Sequence, residues 1–140
     1  TVVIDLLKGL IPMVLLQRYF PGQPWLLTWT AAALVVGHCF SLYLGFRGGK
    51  GVATSFGCVA IVAPWCAAVA VVCYIALLVF TKISAVGSLG GIAVCLLYLL
   101  IIRPEAAVSF LVLLISIVVV FRHRDNIRRL MQTKRVKENP

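Results

Sequence analysis

Two long stretches of this chain carry no charged residue, and they restrict the folds open to it more than any other feature. Val52–Phe80 runs for 29 residues and Ile83–Ile102 for 20 residues without a charge. Apolar runs of about 18 residues or more are typical of helices that cross a bilayer. A chain of 140 residues is too short to bury several such helices in a soluble core, and its charged share of 12% is low for a soluble domain. The sequence therefore predicts an integral membrane protein.

The longer of these stretches does not fit a single crossing. As one helix it would measure about 44 Å, whereas the hydrocarbon core is about 30 Å thick. Pro64 lies near its middle, and a turn there places the loop with Arg47 and Lys50 on the same side as Lys82 and the basic C-terminal tail. Because positively charged loops collect on the cytoplasmic side, the charge distribution favours a hairpin of two short helices.

The other apolar segments complete an all-α bundle. They are, approximately, Thr1–Phe20, Trp25–Leu44 and Ala106–Phe121. With the hairpin and the span at Ile83–Ile102, they predict a polytopic integral membrane helical bundle of about six membrane helices. We expect one membrane domain over residues 1–140, with helices through residue 121 and a basic cytoplasmic tail over 122–140. The tail holds seven of the thirteen basic residues, which predicts that the glycine-rich loop before Val52 is also cytoplasmic.

Charge and cysteine content exclude several other classes. The net charge is +9, but the basic residues lie at the ends of apolar runs and in the tail, which is typical of membrane topology and not of a nucleic-acid surface. All five cysteines lie inside apolar segments, and none forms a CxxC pair or a His/Cys cluster with zinc spacing. We therefore expect no disulfide framework, no metal and no cofactor.

A glycine- and lysine-rich loop is the most informative stretch of the chain. Gly48, Gly49 and Gly51 surround Lys50, and a helix is predicted to start just after them. Glycines let backbone N–H groups converge, and a lysine and a helix N-terminus add positive potential, so this pattern favours a phosphate site. It is not a Walker A loop, because Leu44 replaces the first glycine of that motif and Gly51 replaces its Ser/Thr. The alternative is a plain cytoplasmic turn with an anchoring lysine.

Two pairs of polar residues lie three positions apart next to predicted membrane helices. His38 and Ser41 end the helix before the loop, and His123 and Asn126 follow the last span. Each pair shares one helix face. The alternatives are that His38 is a satisfied packing residue, and that the basic residues around His123 are ordinary topology and headgroup anchors.

Both regions resemble signatures of the bacterial acyl-phosphate:glycerol-3-phosphate acyltransferases. The second signature of that family resembles Gly37–Gly57, which reads GHCFSLYLGFRGGKGVATSFG. The third resembles His123–Leu130, which reads HRDNIRRL. The DLLKG sequence at Asp5–Gly9 and the helix around Ser84–Ser88 are also similar to the family.

The resemblance implies an activity and a location. An acyl group would pass from acyl phosphate to the 1-hydroxyl of glycerol 3-phosphate, giving lysophosphatidate in the first committed step of phospholipid synthesis. The partners would be these two substrates and membrane lipids, without a cofactor, in the bacterial cytoplasmic (inner) membrane. The family has seven helices, and its first helix and first signature precede Thr1, so we expect this fragment to be inactive alone.

The resemblance also implies roles for individual residues. The residues expected to bind a substrate phosphate are Arg47, Gly48, Gly49, Lys50, Gly51 and Thr54. The residues expected to act in catalysis are His38, Ser41, Lys50, His123 and Asn126. Of these, His123 and Asn126 would hold glycerol phosphate near the acyl carbonyl, while Ser41 and His38 would support the loop or donate hydrogen bonds. Arg47 departs from the lysine that is usual in the family, and it keeps the charge but not the geometry.

Two other functions stay open on the sequence alone. One is a transporter or gate for a phosphorylated or lipid substrate, with the glycine-rich loop at its entrance. The other is a non-catalytic membrane scaffold that binds acidic lipid through its basic tail.

Overall fold

A computed structural model describes residues 2–41, 45 and 48–138, with side chains through residue 132. Its described residues form seven helices and no strand, so the predicted all-α class is confirmed. The helices are α1 (Val2–Tyr19), α2 (Pro24–Cys39), α3 (Val52–Val62), α4 (Pro64–Thr81), α5 (Ser84–Ile102), α6 (Ala106–Arg122) and α7 (Arg124–Glu138).

Short connections and backbone chemistry set the ends of several helices. Pro24 and Pro64 each stand in the first turn of a helix, where the missing N–H of proline leaves no hydrogen bond unmade. Lys82 and Arg103 end α4 and α5 in the left-handed conformation, with φ of 59° and 50°. A left-handed residue stops a helix, since its carbonyl no longer continues the ladder.

The predicted hairpin at Pro64 is confirmed. Ala63 alone separates α3 from α4. The rings of Phe56 and Tyr74 lie 6.2 Å apart between centroids, although they stand on opposite sides of the turn in sequence. The chain therefore folds back on itself between the two helices, as the charge distribution required.

Glycines allow the backbones of neighbouring helices to approach closely. A Cβ on Gly9 would collide with the Thr54 carbonyl, and one on Gly57 would collide with the Leu6 carbonyl. The Thr54 hydroxyl also donates a hydrogen bond of 3.0 Å to the Asp5 carbonyl. These contacts join the starts of α1 and α3, so the two helices run parallel.

Helices α2 and α6 also run parallel. At one end, the Thr28 hydroxyl donates to the Ala107 carbonyl at 3.0 Å. At the other, the Arg122 guanidinium lies over the Phe40 ring, 5.4 Å from its centroid. The last turn of α6 is thereby placed beside the last turn of α2, next to the glycine-rich loop.

Among the helices that the structure describes, α4 and α5 each have the length and composition of a full membrane span. A third would be α6 joined to Arg124–Gln132, with a bend of 54° between the two parts. The helices α2 and α3 are apolar but shorter, with 16 and 11 residues. Each of the six apolar segments predicted from sequence thus contains a helix, and the two arms of the hairpin are unequal, with 11 residues in α3 and 18 in α4.

The helices alternate in direction, which collects several functional segments at one end of the bundle. That end, which we call the loop end, holds the starts of α1, α3 and α5, the ends of α2, α4 and α6, and the glycine-rich loop. Lys8, Lys50, Lys82 and Arg122 lie there, whereas Arg18 and Arg103 lie toward the opposite end.

Candidate active site

A cavity of about 400 Å³ opens at the loop end, and we call it the head cavity. Five helices and the residue that follows α6 contribute to its wall. The polar and glycine residues of the lining are Asp5, His38, Gly49, Lys50, Gly51, Tyr74, Ser84, Ser88 and His123. The structure therefore brings part of the glycine-rich loop and the first residue of the HRDNIRRL segment into one site.

The glycine-rich loop is held against the last turn of α2. Gly51 adopts φ of 79°, which favours glycine, and a Cβ there would lie 2.7 Å from the Cys39 sulfur. A Cβ on Gly48 would collide with the His38 carbonyl, and one on Gly49 would collide with the His38 ring. Close packing thus favours glycine at all three positions, and the left-handed backbone favours it at Gly51 as well. This packing places the N-terminus of α3 at the cavity wall.

Arg122 fixes the other side of the loop. Its Nη2 donates to the Gly48 carbonyl at 2.6 Å, and its Nε donates to the Gly49 carbonyl at 3.2 Å. The sequence pattern placed Arg122 among the basic residues around His123 and did not predict these contacts. The only signal in the sequence was its place directly before His123.

His123 is buried, with 1% of its surface exposed, although it lies just past the end of α6. Its Nδ1 is 2.8 Å from the Val119 carbonyl, which can only accept, so Nδ1 carries a proton. Burial lowers the pKa of His123, and the nearby charge of Lys50 acts in the same direction against the opposing hydrogen bond to Val119. The neutral ring that results keeps Nε2 free of a proton, as a hydrogen-bond acceptor.

Asp5 lies at the centre of a small charged cluster. Its Oδ1 is 3.2 Å from the Lys8 ammonium and 3.7 Å from Nδ1 of His38. Asp5 and Lys8, three positions apart on α1, therefore form an ion pair. Asp5 also lines the head cavity.

Ser41 lines a second cavity of about 700 Å³ that adjoins the first. Asp5, His38 and Gly49 line both cavities, so they form the wall between them. Ser41 is thereby separated from Lys50 and His123, which line the head cavity alone.

The remaining predicted site residues lie elsewhere. Thr54 has 1% of its surface exposed, and its hydroxyl donates to Asp5 within the contact of α1 and α3. The Thr54 side chain therefore has a packing role, and the expected phosphate contact of this residue stays a prediction. Asn126 is partly buried in the first turn of α7 and does not line either cavity. Arg47 lies outside the described residues.

These features define an all-helical integral membrane protein with a cavity at one end of its bundle that is lined by glycines, Lys50 and His123. The family model described as glycerol-3-phosphate acyltransferase matches residues 1–133. The chain belongs to the glycerol-3-phosphate acyltransferase family, and the resemblance seen in the sequence is confirmed.

Relatives and solved structures agree with this assignment. The glycerol-3-phosphate acyltransferase of Anaeromyxobacter dehalogenans (strain 2CP-1) is 40% identical, and the alignment covers 96% of this chain and 69% of that protein. The one from Campylobacter concisus is 40% identical over 98% of this chain and 68% of that protein. The crystal structure of PlsY (YgiH), an integral membrane glycerol 3-phosphate acyltransferase in its glycerol 3-phosphate form, matches with a TM-score of 0.87 and 32% identity. That match covers 94% of this chain and 66% of the other, so the chain spans about two thirds of its relatives' length.

Proposed function

We propose that this protein transfers an acyl group from acyl phosphate to the 1-hydroxyl of glycerol 3-phosphate, releasing lysophosphatidate and inorganic phosphate. The family supplies the reaction class, and the solved neighbours are described as glycerol 3-phosphate and lysophosphatidic acid forms of their own protein. The observation that carries the proposal is the presence of Lys50, the loop glycines and His123 in one cavity. Acyl phosphate as the donor follows from the sequence resemblance.

A substrate phosphate would bind at the glycine-rich loop. Lys50 supplies a cation, and the N-terminus of α3, which begins at Val52, supplies positive potential. Gly49 and Gly51 contribute backbone to the cavity wall without side chains that would block an anion. Arg47 is proposed as a further cation of the same site. The Thr54 hydroxyl is engaged with Asp5, so a contribution of Thr54 to this site would come from its backbone N–H in the first turn of α3.

The acceptor hydroxyl would lie near His123. The Nε2 of its neutral ring can accept a hydrogen bond from the 1-hydroxyl of glycerol 3-phosphate, and Asn126 is proposed to hold the same substrate. The hydroxyl oxygen attacks the acyl carbonyl carbon and forms the ester bond. The bond from that carbon to the phosphate oxygen breaks, and phosphate leaves with the electron pair and takes up the hydroxyl proton.

Positioning and charge stabilisation would supply most of the rate enhancement. Acyl phosphate carries a good leaving group, so fixed cations and N–H donors around it are sufficient to stabilise the developing charge. Cys39 is fully buried under Gly51 and does not line the head cavity, which favours direct transfer over an acyl-enzyme on this thiol. His38 is proposed to support the loop from the wall between the two cavities, and Ser41 from the second cavity.

We further propose that the loop end faces the cytoplasm, in the cytoplasmic membrane of a bacterium. The glycine-rich loop, Lys82 and the start of the basic tail share that end of the bundle, and positively charged segments are retained on the cytoplasmic side. Residues 1–140 would form one membrane domain with its tail, since the core residues packed against one another come from α1 through α6.

The decisive experiment is a product assay. The full-length protein that carries this sequence, purified and placed in vesicles, should form labelled lysophosphatidate from acyl phosphate and labelled glycerol 3-phosphate. Lys50→Ala should lower kcat/KM about 100-fold, since removal of one charge-stabilising donor typically costs that much. Lys82→Ala is the matched control, because Lys82 is a loop-end cation outside the head cavity, and it should retain activity.

Two results would contradict the proposal. Equal activity of Lys50→Ala and the unaltered protein would remove Lys50 from the site. Passage of labelled glycerol 3-phosphate across the vesicle membrane without product would instead favour the transporter interpretation left open by the sequence.

A further inference from the structure

We propose that Arg122 is a positioning residue: its guanidinium orients the two peptide groups of Gly48–Lys50 so that their N–H groups bind a substrate phosphate. This inference rests on the proposed function of the same site, and it adds a residue for which the sequence motifs gave no role. It begins from the two hydrogen bonds that Arg122 donates to the carbonyl oxygens of Gly48 and Gly49.

The geometry of the peptide bond then determines the direction in which the N–H groups of the loop point. In a planar trans peptide, the carbonyl of one residue and the N–H of the next point in opposite directions. The described residues contain no cis peptide bond. With the Gly48 and Gly49 carbonyls directed at Arg122, the N–H groups of Gly49 and Lys50 therefore point away from it.

Those two N–H groups are available to a ligand. Within the part of the chain that the structure describes, neither takes part in a hydrogen bond. Gly49 and Lys50 both line the head cavity. Two adjacent N–H groups beside a lysine form the kind of concave donor set that binds phosphate oxygens.

Arginine is suited to this role in a way that lysine is not. Its rigid planar fork reaches two carbonyl oxygens at once, at 2.6 and 3.2 Å. The ring of Phe40 lies 5.4 Å from the guanidinium carbon and restricts its orientation through a cation–π contact. A lysine at position 122 would keep the positive charge but would lose the simultaneous hold on both peptides.

Arg122 also lies between the two motifs of the site, since it contacts the glycine-rich loop and directly precedes the HRDNIRRL segment. It is the last residue of α6, and His123 follows it directly. The end of α6 thus positions both the loop that would bind phosphate and the imidazole that would accept a hydrogen bond from the acceptor hydroxyl.

Arg124 provides a matched control. It stands two positions away with the same charge, but its Nη1 donates to the Phe121 carbonyl at 3.3 Å, and its guanidinium lies over the Phe121 ring. Neither contact involves the glycine-rich loop. Arg124→Lys therefore makes the same change of side chain as Arg122→Lys, at the same end of the bundle, without releasing the loop.

The first test measures amide exchange and does not depend on catalysis. Inorganic phosphate should slow hydrogen–deuterium exchange of the segment 48–54 in the unaltered protein and in Arg124→Lys. The protection should be lost in Arg122→Lys and in Arg122→Ala. Equal protection by phosphate in all four proteins, or its absence from the unaltered protein, would overturn the inference.

The second test separates orientation from charge in the reaction. Arg122→Lys and Arg122→Ala should each lower kcat/KM for glycerol 3-phosphate about 10- to 100-fold, since small misplacements of a binding group cost that much. Arg124→Lys should stay within about twofold, and Phe40→Leu, which frees the guanidinium but keeps its hydrogen bonds, should lie in between. Full activity of Arg122→Lys beside an impaired Arg122→Ala would show that only charge matters and would overturn the inference.

Failures of the two proposals can be told apart. If the unaltered protein forms no lysophosphatidate, the proposed function fails, and the exchange experiment with phosphate still decides the role of Arg122. If it forms product and Arg122→Ala does so at the same rate, only the inference fails. We expect the variants to unfold in detergent at the same temperature as the unaltered protein. This control would exclude a general loss of structure.

Discussion

At the scale of single residues, the chemistry of the site depends on contacts that the motifs do not reveal. The sequence indicated that His123 belongs to the site, but its tautomer follows from the Val119 carbonyl, which lies one helical turn before it. Arg122 looked like one of many basic residues near a membrane boundary. Its hydrogen bonds to the loop connect residues more than 70 positions apart, and no local pattern encodes such a pair.

The buried histidine makes the protein's stability depend on pH. Its pKa in the folded state is lowered from 6.5, chiefly by burial, so the unfolded chain takes up a proton first as the pH falls below that value. Stability is therefore complete above about pH 6.5 and declines as the pH falls toward the folded-state pKa. We expect the unfolding temperature to drop more between pH 7.5 and pH 5.5 in the unaltered protein than in His123→Asn.

Asparagine is the suitable replacement because its amide can still donate to the Val119 carbonyl but does not titrate. Parallel pH profiles of the two proteins would show that His123 does not contribute to the acid sensitivity.

At the scale of helices, the charge pattern predicted the arrangement better than helix length did. The hairpin at Pro64 follows from the need to keep basic loops on one side, and the contact of Phe56 with Tyr74 confirms it. The close packing of α1 on α3 was not predicted, because glycines at positions 9 and 57 are far apart in sequence. Only the fold shows that each faces the other helix's backbone.

Gly57 should therefore be intolerant of even a methyl group. In Gly57→Ala the new Cβ would collide with the Leu6 carbonyl and push α1 away from α3, which moves Asp5 relative to the head cavity. We expect a loss of about 1–3 kcal/mol in the free energy of unfolding, as is typical of overpacking, together with reduced acyltransferase activity. Thermal or denaturant unfolding in detergent measures the first effect.

Gly37 is the matched control for this substitution. It is also helical, but a Cβ there would meet no atom within 4 Å. Gly37→Ala should leave stability unchanged or raise it slightly, since alanine favours helix. Equal destabilisation by both substitutions would mean that the close approach of α1 and α3 is not the cause.

At the scale of the whole molecule, the alternation of six helices places the site and most cations at one end of the bundle. This arrangement predicts a topology that can be measured. A cysteine at position 82, on the loop end, should be protected in intact bacterial cells from a membrane-impermeant maleimide. A cysteine at position 103, on the opposite end, should react.

The unaltered protein is the background control for this labelling, because its five cysteines all lie within apolar helices and are buried or partly buried. Reaction at position 82 with protection at position 103 would invert the topology and place the proposed site outside the cell.

The sequence by itself determined the class of structure and predicted an anionic ligand. Long uncharged runs require helices, since backbone polar groups in lipid must be paired within the segment. Glycines beside Lys50 provide donors for an anion whatever surrounds them. These properties are local, so composition and spacing reveal them.

Only the tertiary structure decided which side chains share the cavity. Asp5 reaches it because α1 packs on α3, Thr54 is withdrawn from it by the same contact, and Arg122 holds the loop because α6 lies parallel to α2. The physical reason is that each of these contacts joins helices distant in sequence through one or two hydrogen bonds and close backbone approach. Their partners are chosen by the packing of the entire bundle and not by any neighbouring residue.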